Sequence, residues 1–171
     1  LQRVDIDALG RLAERDELTI RPDPAVGSFV LPGSTLATVW PAEAVDEDVD
    51  RAIRGAFGLG VERTLQADVA FGLQQLSDIA VKALSPGIND PTTARICIDR
   101  LSELLVLLGG RAPADTVLRG EDGQVLVVLS PPSFADLVNE AFGEIRHYGS
   151  NDPVVATYMV AMLGRIAELV P

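Results

Sequence analysis

Residues 69–110 decide the fold, and they read VAFGLQQLSDIAVKALSPGINDPTTARICIDRLSELLVLLGG. Apolar side chains recur there at spacings of three and four, which is typical of amphipathic helices packed in a bundle. Pro86 ends the first helix, Asp90-Pro91 begins the second, and Gly109-Gly110 ends it. The predicted buried seams are Val69, Leu73, Leu76, Ala80 and Ala83, then Ala94, Cys97, Leu101, Leu104 and Leu108.

A second pair of helices repeats this arrangement. Residues 87–94 and 149–156 share the pattern G-x-N-D-P-x-x-A, and each copy follows a helix that begins near a phenylalanine, Phe71 or Phe134. The pattern indicates two similar helical hairpins. The alternative is coincidence, because Asn-Asp-Pro is a common way to begin a helix. In both copies we expect the aspartate to accept hydrogen bonds from the first free N–H groups of the helix.

The residues before position 41 have a different pattern. After a short helix on Ile6, Leu9 and Leu12, the segments 18–21, 28–31 and 35–40 alternate like strands and are separated by proline and glycine. They predict a small β-rich appendage over residues 1–41.

A β-hairpin is predicted at about residues 115–130, because β-prone segments flank the turn Glu121-Asp122-Gly123. The fold class is therefore α+β and mainly helical. We expect the β appendage to precede a helical bundle over residues 42–171 that carries this hairpin as an insertion.

Charge argues against nucleic acid as a partner. Fourteen basic residues against twenty-five acidic ones give a net charge of -11, which repels phosphate backbones. An uninterrupted apolar run such as residues 104–108 is far shorter than the roughly 18 residues of a membrane span. The sequence opens at Leu1 without a signal-like segment, and we expect a fragment or a processed product of a longer chain.

Few reactive side chains are available for catalysis. His147 is the only histidine, Cys97 the only cysteine and Lys82 the only lysine. Sites that need several imidazole or thiolate ligands are excluded, so we expect no metal and no cofactor. Glycine-rich phosphate loops and the G-x-S-x-G nucleophile motif are absent from the sequence.

Two polar segments remain as candidate ligand-binding sites, the stretch 63–68 and the loop 85–90. Prolines stiffen the loop, and we expect Gly87 to give it unusual dihedral angles. The other interpretation is that the loop only turns one helix into the next. The candidate ligand-binding residues are Arg63, Asp68, Ser85, Asn89, Asp90 and Thr92.

Most of the chain resembles a bacterial family of predicted integral membrane proteins labelled only as a domain of unknown function. The run Ala83-Leu84-Ser85-Pro86-Gly87-Ile88-Asn89-Asp90-Pro91 is the most specific match. Further likeness lies in residues 1–5, 27–36, 62–64, 133–137 and 146–149. The resemblance implies several N-terminal transmembrane helices followed by a soluble region, of which this chain would be the C-terminal part, on the cytoplasmic side of the inner membrane. It implies no activity.

A second resemblance concerns Gly27-x-x-Val30-x-x-Gly33-x-x-Leu36, which is similar to one half of a biotinyl or lipoyl-type barrel. Those carriers modify a lysine on a hairpin turn. The only lysine here lies in a predicted helix, so the carrier role does not fit.

The sequence thus favours a non-enzymatic module of a membrane protein. Its predicted role is homo-oligomerisation, or sensing and gating of the protein's own N-terminal transmembrane region. One alternative is a module that binds a small ligand or a cation at the 85–90 loop. Another is a hydrolase that uses carboxylates such as Asp68, Asp78 and Asp90.

Overall fold

The computed structural model describes residues 1–66 and 68–170. The chain divides into two compact units. The N-terminal unit consists of Leu1–Asp68 and Ala114–Pro131, and the helical unit of Val69–Pro113 and Pro132–Pro171. The fold is α+β and mainly helical, as predicted.

The N-terminal unit contains all the strands of the described residues. Its elements are β1 (Arg3–Val4), α1 (Ile6–Arg15), β2 (Thr19–Pro22), β3 (Ala37–Trp40), a 3-10 helix (Ala42–Ala44), α2 (Glu47–Gly55), β4 (Phe57–Gly58), β5 (Val117–Arg119) and β6 (Val125–Val128). β1 pairs with β4, and the other four strands form one sheet in the order β3-β2-β6-β5. Helix α1 packs against β6 through its buried Leu9, Leu12 and Ala13.

This division differs from the predicted one. The hairpin β5–β6 forms around Gly123 at φ 85° as expected. It does not insert into the bundle, because β6 pairs in parallel with β2, with Ile20 opposite Val127. The boundary expected after residue 41 lies at residue 68, and α2 belongs to the N-terminal unit.

Residues 28–31, predicted as a strand, are irregular in structure. Phe29 is 89% exposed and Leu31 is 61% exposed. Val30, between them, packs against the core of the N-terminal unit. The alternation of the segment therefore reflects one inward-facing valine in an irregular loop and not a paired strand.

The helical unit consists of two antiparallel hairpins. The first is α3 (Val69–Ala83) with α4 (Pro91–Gly109), and the second is α5 (Phe134–Gly149) with α6 (Pro153–Leu169). Helix α3 packs against α5 and helix α4 packs against α6. Their apolar seams form one buried core that includes Leu73, Cys97 and Leu101, as the spacing predicted. The prediction was wrong for Val69 and Leu104, which are 51% and 39% exposed. On α4 the buried position belongs to the neighbouring Leu105.

One polar link joins α4 to α6. The Tyr158 hydroxyl donates a hydrogen bond to Asp99, and the Arg95 guanidinium lies 4.2 Å from the centre of the tyrosine ring. The hydrogen bond to Asp99 raises the pKa of Tyr158 above its ordinary value. The hairpins are thus held together by apolar packing on the inside and by this cluster at the edge.

Candidate functional site

A cleft of about 1290 Å³ lies where α3 and α5 end. It is lined by side chains between residues 78 and 89 of the first hairpin and between residues 147 and 153 of the second. Both loops of the repeated G-x-N-D-P pattern therefore face the same space. This is possible because α3 and α5 lie side by side and run in the same direction, so that their C-terminal ends meet.

The first loop is held by its own backbone. The N–H groups of Ile88 and Asn89 both donate to the Ser85 carbonyl, and the N–H of Asp90 donates to the Ala83 carbonyl at 2.8 Å. Asn89 has φ 48°, in the left-handed region that asparagine tolerates better than most residues. The expectation that Gly87 supplies the unusual dihedral angle was wrong, since the positive φ falls on Asn89.

The second loop repeats one feature of the first. The Ser85 hydroxyl donates to the Lys82 carbonyl at 2.7 Å, and the Ser150 hydroxyl donates to the His147 carbonyl at 3.1 Å. Lys82 and His147, the only lysine and the only histidine of the sequence, both line the cleft and are exposed. Each hairpin thus contributes one basic residue to the cleft lining, although the two residues do not occupy equivalent positions of the repeated pattern.

Both predicted helix caps are present. Asp90 Oδ1 accepts from the N–H groups of Thr92 and Thr93 at 3.1 and 3.0 Å, and Asp152 Oδ1 accepts from those of Val154 and Val155 at 2.9 and 3.1 Å. Each proline lies at the first helical turn, where a missing N–H is harmless.

Asp90 has an additional partner. The Thr93 hydroxyl donates to Asp90 Oδ2 at 2.5 Å, and this bond, followed by the backbone bonds, lowers the pKa of Asp90 below its ordinary value. A carboxylate that stays ionised and is already accepting three hydrogen bonds serves α4 as a cap.

The six candidate residues fall into three pairs, of which two belong to the helical unit. Ser85 and Asn89 line the cleft. Asp90 and Thr92 bond to each other at the start of α4, and among the described residues neither is part of the cleft lining. Ligand binding by these residues stays a prediction.

Arg63 and Asp68 belong to the N-terminal unit and form a salt bridge. Arg63 Nη2 lies 2.7 Å from Asp68 Oδ2, and the Asp68 side chain is only 5% exposed. Gly27 passes directly over this pair at φ 89°, and a β-carbon there would meet both side chains inside contact distance. The salt bridge therefore packs directly against the backbone of the loop that contains Gly27.

The three carboxylates of the hydrolase alternative have unequal surroundings. Asp68 is engaged by Arg63 and Asp90 by the start of α4, while Asp78 lines the cleft. A carboxyl group whose pKa is lowered, as at Asp90, is a poor proton donor at neutral pH.

Over residues 1–66 and 68–170, no group of three His, Cys, Asp or Glu side chains is placed to hold a metal ion. Cys97 is buried in the core, and burial raises the pKa of its thiol.

Sequence reasoning missed half of the cleft. The sequence pattern places Lys82 within a helix. It places His147 and residues 148–153 where one helix ends and the next begins. The repeated Asn-Asp-Pro pattern was the available signal, because two similar hairpins that pack side by side bring their loops to the same end.

Comparison with known proteins gives the family. The profile of a family described as "Predicted membrane protein (DUF2254)" matches residues 1–165. The chain belongs to the DUF2254 family. Uncharacterized proteins of Mycobacterium tuberculosis and Mycobacterium bovis are each 38% identical to it over 173 residues, which covers 98% of this chain and 33% of each relative. No solved structure matches.

This DUF2254 chain spans about a third of the length of the curated relatives it matches. Within the part of the chain that the structure describes, no helix is both long enough and apolar enough to cross a bilayer.

Proposed function

We propose that the helical unit is a ligand-sensing module of a bacterial membrane protein, with the ligand in the cleft between the two Asn-Asp-Pro loops. The single observation that carries the proposal is that corresponding loops of two similar hairpins converge on one space of about 1290 Å³. That volume suits a small molecule and leaves room for water, since ligand pockets span about 300–1,000 Å³.

The chemistry of the cleft favours a polar ligand. Lys82 supplies a positive charge, and Asp78 and Asp152 supply negative ones. Asn89 and Asn151 supply amides that both donate and accept. The Asn89 backbone is fixed by the loop hydrogen bonds described above, so its side chain is presented without a large ordering cost.

The receiver of the signal in this proposal is the protein's own N-terminal transmembrane region. The proposal also includes a topology, in which this chain is the C-terminal region outside the bilayer, on the cytoplasmic side. The family description and the resemblance of the run 83–91 support it. A reporter fused after Pro171 of the full-length protein should read as cytoplasmic, and a periplasmic reading contradicts the topology.

Ligand capture tests the site itself. The purified chain is incubated with a bacterial metabolite extract and washed, and the released small molecules are identified by mass spectrometry. We expect compounds that are enriched on the wild type, lost with the double variant Asn89→Ala, Lys82→Gln, and retained with Gln75→Ala. Gln75 is exposed on α3 and does not line the cleft. Equal capture by the wild type and the double variant, or no capture by either, contradicts the proposal.

Homo-oligomerisation is a second candidate, and the surface of α6 favours it. Residues 153–164 of this helix contain no charged side chain. The apolar residues Val154, Val155, Met159 and Val170 near its two ends and middle do not all lie on one face. Val155 and Met159 are buried in the core and Val170 packs against it, whereas Val154 and also Val160 are 59% and 66% exposed.

Light scattering tests this candidate. We expect the wild type to form a species larger than a monomer and Val160→Asp to reduce the mass toward that of a monomer. Leu107→Asp, at an exposed apolar position of α4, is the matched control and should leave the mass unchanged. A monomeric wild type at high concentration, or the same loss of mass with both variants, overturns it.

A further inference from the structure

A second cavity, of about 340 Å³, lies between α3 and α5 and adjoins the cleft at Asp78, which lines both. We call this second cavity the α3–α5 groove. Its lining includes Ser77, Asp78, Asn139, Glu140, Glu144 and Arg146. Three carboxylates against one guanidinium leave a formal excess of two negative charges. The groove therefore favours a cationic group over an anionic one.

Ser77 gives this charge a specific meaning. Its side chain is buried, with only 2% of the residue exposed, and it lines the groove. Its hydroxyl has no hydrogen-bond partner among the described protein atoms. Buried hydroxyl groups almost always have a partner, so the Ser77 hydroxyl needs one that the described protein atoms do not supply, such as a water molecule or a ligand group in the groove.

We propose that the α3–α5 groove binds the primary ammonium group of the ligand whose remainder occupies the cleft. This inference rests on the proposed function, and it names the chemical class of the ligand. An ammonium group has three donors and no acceptor, which matches a hydroxyl oxygen and carboxylate oxygens as acceptors.

A divalent metal ion fits the groove less well. Such ions take six or more oxygen ligands, usually with several carboxylates close together. Among the described residues, no three acidic or other ligating side chains come close enough to hold one. An ammonium group needs only two or three acceptors, because it has three N–H donors.

The shared position of Asp78 defines the shape of the ligand. A molecule with its amine in the groove extends past Asp78 into the cleft, where the Lys82 ammonium group can bind a carboxylate or another acceptor. Small amino acids with separated amino and acidic groups meet both requirements. The probes are therefore 4-aminobutanoate, 1,4-diaminobutane and the amine-free butanoate.

Backbone amide shifts of the isotope-labelled chain measure binding at each position. We expect both amines to shift the amides of residues 74–78 and 139–144, and butanoate to leave them in place. Glu140→Gln and Ser77→Ala should each weaken amine binding about tenfold or more. Glu121→Gln, which removes a carboxylate from the exposed hairpin turn of the N-terminal unit, should not.

Four results overturn the inference. If butanoate shifts the amides of the groove residues as strongly as 4-aminobutanoate does, the amino group is not what the groove recognises. If the amines shift only the amides of the acidic segment 43–50, they are attracted to negative charge in general. If they shift no amides, the chain has no amine site. Magnesium chloride shifting the groove at lower concentration than the amines shows a metal site.

The two proposals fail separately. If metabolite capture depends on Asn89 and Lys82 but amines shift no amides of the groove, the cleft is a ligand site and the proposal of an amine site in the groove fails. Amine binding in the groove without any capture in the cleft does the reverse. Ser77→Ala and Glu140→Gln differ in burial, so a folding defect in one does not compromise the other.

Discussion

Replacing Ser77 by alanine should stabilise the protein. The residue lies in the middle of α3, is 2% exposed, and its hydroxyl has no partner among the described protein atoms. A buried polar group without a partner costs about 1–3 kcal/mol, and alanine is the better helix former by roughly 0.5 kcal/mol. We therefore expect the free energy of unfolding to rise by about 1.5–3.5 kcal/mol.

Ser102 is the matched control. It is equally buried, in α4, but its hydroxyl donates to the Ile98 carbonyl at 2.7 Å. Ser102→Ala loses about 0.5–1.5 kcal/mol of hydrogen bonding and regains roughly 0.5 kcal/mol of helix propensity, so its effect should be near zero or destabilising.

Urea unfolding followed by circular dichroism at a helical wavelength measures both variants. In thermal scans, each kcal/mol corresponds to about 2–4 °C for a chain of this size. If Ser77→Ala lowers stability as much as Ser102→Ala does, the Ser77 hydroxyl has a partner within the protein. The argument for an unpaired group in the α3–α5 groove then fails. If Ser77→Ala both stabilises the protein and loses amine binding, the Ser77 hydroxyl serves binding and lowers the stability of the protein without ligand.

Three further predictions concern other parts of the chain. Gly27→Ala should destabilise the fold by about 2 kcal/mol or more, because the β-carbon meets the buried ion pair at a positive φ; Gly33→Ala, at the same φ of 89° in open space, should cost less in the same denaturation experiment. Stability should fall as the pH is lowered, because hydrogen bonding lowers the pKa of Asp90 and Asp136 in the folded protein below the ordinary 3.8, so the unfolded chain takes up protons first. Asp90→Asn should reduce the change in the urea midpoint of unfolding between about pH 5 and pH 1. Cys97, buried and with a raised pKa, should react slowly with a thiol reagent until denaturant is added, and rapid labelling of the native protein would contradict its placement.

Local chemistry was readable from the sequence. The caps Asp90, Ser133 and Asp152, the turn at Gly123 and the helix end at Gly110 all depend on residues within a few positions of each other. Their patterns therefore predicted the helices, their ends and the β-hairpin correctly.

Pairings between distant segments were not readable. Nothing in the alternation of residues 18–21 says whether β2 pairs with its neighbour alone or also with β6, so the hairpin was assigned to the bundle instead of to the sheet. The cleft was missed in part for the same reason. Lys82 and His147 approach one space only because α3 and α5 pack in parallel, which depends on the whole core and not on either helix alone.

The pairing of Ile20 with Val127 has a consequence for biosynthesis. The sheet of the N-terminal unit cannot close until residue 127 has left the ribosome, by which time the whole first hairpin of the helical unit has already emerged. That hairpin must then wait for residues 132–170 to provide the second half of its core. Neither unit can be completed before the other has begun, so a nascent chain exposes apolar surface for most of its synthesis. Truncations at residue 68 or 113 should therefore yield chains that aggregate rather than separable domains.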